Sequence, residues 1–124
     1  MTPNPAQVAY LATQRLGRLA TLNPRTGLLH NSPVTFWYDE ESNAFVIGGR
    51  AMGETRKFAN VEATGVATLV VDDVVDPTTW VVRGVEIRGS AEALRGITPR
   101  AGYFSAEEIR IHPTRIVSWG LDES

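Results

Sequence analysis

Residues 80–94, WVVRGVEIRGSAEAL, form a long β-branched run broken by two glycines, Gly84 and Gly89. Glycine inside a strand pattern marks a bulge or a tight bend, which is how a strand turns a barrel corner. Other strand-like runs are RLATL (18–22), LLHNSPVTFWYD (28–39), AFVIGG (44–49), VATLVVDD (66–73) and IRIHPTRIVSWG (109–120). Turns between them, such as NPRTG and EESN, are short, so antiparallel pairing dominates. The 124 residues fit one compact domain, 1–124. Long bent strands, about six of them, in so small a chain predict a mainly β fold, an antiparallel barrel rather than an open sheet.

Two short helices complete the expectation. Asn4 can cap the first, Pro5 suits its first turn, and Gln7 can close a capping box. Val8, Leu11, Ala12 and Leu16 then share a helical face, with Gly17 as the stop. The second helix is expected over residues 54–63, with Phe58 and Val61 or Glu62 on successive turns and Gly65 after it. Pro33 lies inside a strand pattern, which implies an edge, a bulge or a site.

Composition removes several chemistries. There is no cysteine, so disulfides, thiolate zinc sites and cysteine nucleophiles are excluded. The two histidines, His30 and His112, are far apart and no cluster has metal-ligand spacing. A net charge of −2 gives no basic field for nucleic acid or membrane. The N-terminus has no signal-peptide pattern and no stretch is long enough to span a bilayer, so the default expectation is a soluble cytoplasmic protein. Asp72 and Asp73 point to opposite sides of a strand and are not an acid–base pair. Ser32 and Ser118 have no triad around them, and His112 reads as structural.

The chain has eleven arginines and one lysine, and that lysine, Lys57, stands beside Arg56 in GGRAMGETRKFAN (48–60). Cations are unfavourable at the positive end of a helix. A phosphate in front of that end would receive free N–H groups, the dipole, and charge from Arg50, Arg56 and Lys57, with Asn60 one turn on. The same residues also fit a solvated basic turn, partly neutralised by Glu54 and Glu62. On the neighbouring strand, alternation sends Asn31, Pro33, Thr35 and Trp37 to one face and Ser32, Val34, Phe36 and Tyr38 to the other. Its first half offers a planar ligand polar groups and exposed backbone, or is simply a solvated strand end.

In the order GRLATL, SPVTFWYD, AFVIGG, TRKFANVEATGVATLVVDD, EIRGSAEAL, IHPTRIVSWG, nearly the whole chain resembles the pyridoxamine 5′-phosphate oxidase-like split β-barrel superfamily. The likeness is strongest to its small actinobacterial members that use the deazaflavin cofactor F420. RKFANVEATGVATLVV is the most specific piece and RIVSW the second. The resemblance implies a six-stranded antiparallel split β-barrel of the FMN-binding type, forming a homodimer with two cofactor clefts at its interface. It implies that Arg56 and Lys57 hold the cofactor phosphate, with Arg50 adding charge. Ser32, Pro33 and Val34 match the segment beside the tricyclic ring, and Gly48 and Gly49 the small residues beside the ribityl chain. Trp119 matches a tryptophan that reaches the cofactor region; it also fits an interface core. Trp80 helps form the cleft or caps the barrel.

The chain ends SWGLDES and lacks the Arg-X-His substrate motif that follows the tryptophan in true pyridoxamine phosphate oxidases. NSPVTF also lacks the basic residues that flank the FMN phosphate there, which favours F420 over FMN. The implied activity is hydride transfer from reduced deazaflavin to a flat, conjugated or electron-poor small molecule, with no catalytic side chain identified. The alternatives are an FMN-dependent reductase or oxidase, a non-catalytic carrier of the cofactor or a tetrapyrrole, and a structural dimer with an empty cleft.

Overall fold

The computed structural model describes residues 1–121, so the tail of SWGLDES beyond Leu121 lies outside the described residues. The elements are α1 (Pro5–Ala12), β1 (Leu16–Leu22), β2 (Leu29–Asp39), β3 (Ala44–Gly48), a 3-10 turn (Met52–Glu54), α2 (Arg56–Thr64), β4 (Val66–Asp76), β5 (Val81–Arg95) and β6 (Glu107–Trp119). The strands close into a barrel in the order β1-β2-β3-β6-β5-β4 with antiparallel pairing. The mainly β, six-stranded barrel with two short helices is therefore the observed fold.

The two glycines of β5 do different work. At Gly89 the register with β6 slips, and an added Cβ would lie 2.0 Å from the His112 carbonyl oxygen. No larger residue fits there without moving backbone, so Gly89 is a corner. Gly84 stays in register; a Cβ there would lie 2.4 Å from Cζ2 of Trp119, so its smallness makes a bed for that indole.

β2 changes partners along its length. Leu29 to Thr35 pair with β1, and Thr35 to Asp39 pair with β3. Only Thr35 has strands on both sides. Pro33, opposite Arg18, falls in the half with one neighbour, where a missing N–H breaks no second ladder. The inner face carries Val34 and Phe36 into a core with Leu19, Phe45, Ile47, Leu69, Ile87, Ile109 and Ile111. Phe58 and Val61 of α2 join that core. Burying Phe58 completely contributes roughly 1.5–3 kcal/mol relative to leaving it exposed.

The helix ends follow local chemistry. In α1 the Gln7 N–H donates to Asn4 Oδ1 at 2.8 Å and the Asn4 N–H to Gln7 Oε1 at 2.9 Å, the expected capping box. The helix stops at Ala12, with Thr13 as its cap, and Gly17 belongs to β1. The buried face is Gln7, Tyr10 and Leu11 rather than the expected Val8, Leu11, Ala12 and Leu16. Two polar anchors turn the helix that way. Gln7 Nε2 donates to Ser118 Oγ at 3.0 Å, and Tyr10 OH donates to Asp73 Oδ1 at 2.8 Å. α2 begins after Thr55, whose Oγ1 accepts the Phe58 N–H at 3.3 Å, and ends at left-handed Gly65, φ 71°.

Asp73 also accepts two hydrogen bonds from Arg83, at 2.8 and 3.1 Å, and that guanidinium lies 4.9 Å from the Tyr10 ring centre. Arg83, and then Tyr10, hold the Asp73 carboxyl below the usual carboxylate range. The stability this gives is complete above the unfolded value of about pH 4 and is lost as pH falls through the lowered folded value. Tyr10→Phe should destabilise the fold by about 1.5 kcal/mol at neutral pH. In chemical denaturation the deficit should shrink on acidification below about pH 4; a pH-independent deficit would assign the loss to packing alone.

Candidate functional site

β3 leaves the barrel at Gly48, opposite Thr35, and the chain turns through Gly49, Arg50 and left-handed Ala51, φ 46°, into the 3-10 turn and α2. The start of β6 and the segment just before it hold this turn. The Ser105 N–H and Oγ donate to the Gly49 carbonyl at 2.9 and 3.2 Å. Ser105 Oγ accepts the Met52 N–H at 2.9 Å, and Glu107 Oε1 accepts the Gly53 N–H at 2.9 Å. A Cβ at Gly53 would lie 2.8 Å from that same carboxylate oxygen, so a larger residue there would have to displace the end of the Glu107 side chain.

Arg56 and Lys57 are the first two residues of α2, and Arg50 stands at the other end of the turn that feeds it. Arg56 is exposed and Lys57 half-buried. Among the described residues, neither side chain makes an ion pair or hydrogen bond. Arg50 has no ion pair either; its guanidinium lies 5.0 Å from the Tyr103 ring centre. Glu62, expected to neutralise the pair, is taken by Arg95 at 3.2 Å, and Arg95 rests over Phe58. Burial lowers the pKa of Lys57. A partly desolvated cation thus sits uncompensated at the positive end of a helix. The N–H groups of Arg56 and Lys57 have no intrahelical acceptor, because the first turn of any helix leaves them free.

The ring-side candidates split by face. Pro33 is exposed outside, whereas Val34 is buried inside opposite Gly17. Ser32 faces inward opposite Leu19, and its Oγ is buried with no hydrogen-bond partner among the described residues. The edge of β2 from Leu29 to Val34 that faces away from β1 carries no strand. Asn60 is 1% exposed and turns into the barrel, where its Nδ2 donates to Thr21 Oγ1 at 3.1 Å and its Oδ1 is unpartnered. Its side chain is therefore set apart from Arg56 and Lys57, both of which have some exposure. Gly48 lies under Phe104, whose Cδ2 would be 2.9 Å from an added Cβ, while a Cβ at Gly49 would meet Met52 Cε at 3.6 Å.

Trp80 and Trp119 gather elsewhere. Trp80 is 68% exposed at the tip between β4 and β5, with φ 56°, and Trp119 covers Gly84 near the start of β5. Among the described residues no ring contact joins either tryptophan to Arg50, Arg56 or Lys57. Sequence reasoning missed Ser105 and Glu107. Gly53, whose N–H meets Glu107, was the one local signal that could have found them.

No family model matches the chain. The 5a,11a-dehydrotetracycline/5a,11a-dehydrooxytetracycline reductase of Streptomyces rimosus subsp. rimosus is 46% identical over 117 residues, covering 94% of this chain and 82% of the relative. Solved structures agree on the fold. The conserved hypothetical protein Rv2991 of Mycobacterium tuberculosis superposes with a TM-score of 0.71 at 19% identity, covering 100% of this chain and 92% of that one. A candidate pyridoxamine 5′-phosphate oxidase of Listeria innocua gives 0.66 at 16% identity, covering 90% and 94%. The FAD binding protein of Mycobacterium smegmatis gives 0.66 at 20% identity, covering 95% and 96%. The chain therefore belongs to the family of that Streptomyces reductase, and its closed six-stranded barrel has the split-barrel fold of the pyridoxamine 5′-phosphate oxidase-like structures.

Proposed function

We propose that this protein is a reductase that uses the deazaflavin F420 to reduce a small, conjugated, fused-ring acceptor of the kind for which the Streptomyces relative is named. The observation that carries the cofactor assignment is the uncompensated charge of Arg56 and Lys57 at the start of α2. The residues fit an anionic-tailed planar group. Arg56, Lys57 and their backbone N–H groups take the phosphate, with Arg50 adding charge. Gly48 and Gly49 border the polyol chain, and the strand-free edge at Ser32, Pro33 and Val34 lies beside the ring. Asn60 ties α2, the helix that carries the two cations, to β1 through Thr21. When bound and reduced, F420 supplies a hydride, two electrons and one proton, to an acceptor carbon, and a solvent proton completes the reduction. The chain's own part is to bind, to orient and to exclude water; no proton-donating side chain is assigned.

The same reading includes a homodimer. Trp80, Trp119, Val74, Val75 and Val81 are all at least 38% exposed around one end of the barrel. Leu29 and Val66 border an apolar groove of about 680 Å³ across β1, β4 and β5. Surfaces of this kind suit a second copy, which would also carry the tryptophans toward a neighbouring cleft. Among the described residues no helix is long and apolar enough to cross a membrane. The proposed setting is the cytoplasm, with a small-molecule substrate and no nucleic-acid partner.

Side-by-side titration with F420, FMN and FAD tests the assignment, and F420 should bind most tightly. FMN binding more tightly than F420 would move the protein to the flavin-dependent reading. Lys57→Ala should weaken F420 by about 1.5–3 kcal/mol, or ten- to a hundredfold in Kd. Arg56→Ala should act in the same direction, and salt should weaken binding in wild type. Without cofactor, Lys57→Ala should melt at the wild-type temperature or higher, because burial disfavours the charged lysine. That advantage should shrink as pH rises from the lowered folded value toward about 10.4 and be absent above it, where the unfolded lysine is neutral as well. A lower melting temperature with unaltered affinity would make the pair structural.

Sedimentation at micromolar concentration should give a dimer. Trp119→Ala should weaken it by about 2 kcal/mol, the usual loss for an aromatic truncated in a desolvated contact. A wild-type monomer would remove the interface from the reading.

A further inference from the structure

The flank of β2 that β1 covers up to Thr35 is bare from Phe36 to Asp39, where β3 pairs on the other side only. Between this bare edge and α1 lies a cleft of about 970 Å³, the α1 cleft. Among the described residues no backbone hydrogen bond joins the edge to α1. The cleft floor is apolar, with Val8, Leu11, Leu16 and Phe36. Trp37 lines the cleft as well, held by Phe104 edge-on at 5.5 Å and by Arg100 at 5.7 Å.

The two ends of this slot differ. At one end β1 begins: Leu16 pairs with Thr35 and blocks the flank, and Arg15 stands just before it. At the other end Glu40 and Glu41 follow Asp39 into the turn before β3. From Thr35 to Glu40 the strand spans about 17 Å, the reach of five extended residues. Arg15, Glu40 and Glu41 make no ion pair among the described residues. Asp39 is already engaged, by Ser42 at 2.8 Å and by Arg110 and Arg100 at 3.5 and 4.0 Å. The slot thus has an unpaired cation at its closed end and two unpaired acids at its open end. A strand added antiparallel to β2 on this flank runs toward β1, so it must stop at Leu16 and its carboxyl end meets Arg15. Its amino end then lies beside Glu40 and Glu41. A parallel strand reverses both ends and sets like charge against like.

We propose that the α1 cleft docks the free carboxyl end of another protein's chain, added as an antiparallel strand to Phe36–Asp39. Alternate apolar side chains of the guest lie on the floor, its terminal carboxylate meets Arg15, and a basic residue four or five positions earlier meets Glu40 and Glu41. Hydrogen bonds to the bare edge supply affinity, and the blocked end selects a chain terminus over an internal segment. The same edge of a second copy does not fit the slot. Its own α1 comes with it, and α1 lies on the core side of this flank, where Tyr10 and Leu11 are buried. The docking site is on the flank of β2 away from the proposed ring edge, and it stands without the reductase reading.

Fluorescence anisotropy on the intact protein tests it, with a labelled hexapeptide of two lysines, then threonine, leucine, threonine and valine with a free carboxyl end. Wild type should bind it with a Kd on the order of 100 µM or tighter. The same peptide amidated at its carboxyl end should bind at least about fivefold more weakly. Arg15→Ala should weaken the free acid by about the same factor and leave the amide unchanged. Glu40→Gln with Glu41→Gln should cost about three- to tenfold at low salt, with the loss shrinking at high salt. Ala12 lines the cleft from the helix side and is exposed, so Ala12→Trp should weaken the peptide at least about tenfold at an unchanged melting temperature. Hydrogen exchange of the Phe36–Asp39 amides that face the cleft should slow when the peptide is bound. The proposal is overturned if wild type does not bind at about 1 mM peptide, if acid and amide bind equally, or if Ala12→Trp binds as wild type does. It is also overturned if Ala12→Trp lowers the mass in sedimentation, which would give the cleft to a second copy.

Discussion

The exchange of neighbours along β2 organises the molecule. A strand with partners on both sides throughout would offer ligands only side chains. Here β1 pairs up to Thr35 and β3 from Thr35 on, so each half of β2 keeps one bare edge. The two bare edges face different elements. The one at Leu29–Val34 lies on the flank where β3 has already turned away toward α2, and the one at Phe36–Asp39 faces α1. Backbone groups at such edges must find partners or stay solvated. The fold therefore leaves its hydrogen-bonding capacity where planar, polar groups can use it.

Charge reinforces that geometry at one edge. Of the acids near the start of α2, Glu54 is exposed and makes no ion pair among the described residues, and the other two are engaged elsewhere. Glu62 pairs with Arg95, and Glu107 holds the Gly53 N–H. Arg56 and Lys57 are left at the positive helix end, with desolvation acting on the lysine. A surface selected only for stability would place an acid in that first turn; α2 has none there. An anionic ligand turns each of these unfavourable terms into a favourable one, because charge, dipole and free N–H groups all act in the same direction.

Much of this was legible in the chain. Alternation and turn chemistry gave all six strands and both helices to within a few residues, because those signals are local. The capping box of Asn4 and Gln7 is a four-residue pattern and reads directly. The end of α1 did not read, because Gly17 is a stronger local stop than Thr13. The real limit is set by long-range hydrogen bonds from Gln7 to Ser118 and from Tyr10 to Asp73, which fix the helix face. Gly84 and Gly89 look alike in sequence, and only the position of Trp119 and of the His112 carbonyl separates a bed from a corner. In the site, the cations and the strand were legible. The inward turn of Asn60, the loop anchors Ser105 and Glu107 and, beyond the site, the α1 cleft were not, since each depends on residues distant in sequence.

Those anchors tie the cationic turn and the α1 cleft to one piece of chain. Ser105 fixes Gly49 and Met52, and so sets the path of the turn that carries Arg50. The residues just before it, Tyr103 and Phe104, stack on each other edge-on at 4.8 Å. Tyr103 meets the Arg50 guanidinium, and Phe104 covers Gly48 and abuts Trp37. A shift of the segment before β6 would therefore act on the cationic turn through Ser105 and Tyr103, and on the wall of the α1 cleft through Phe104 and Trp37. Side chains packed edge-on and a serine bonded on both sides move as a unit rather than independently. The cation turn and the cleft wall thus share one mechanical support, although they lie along different halves of β2.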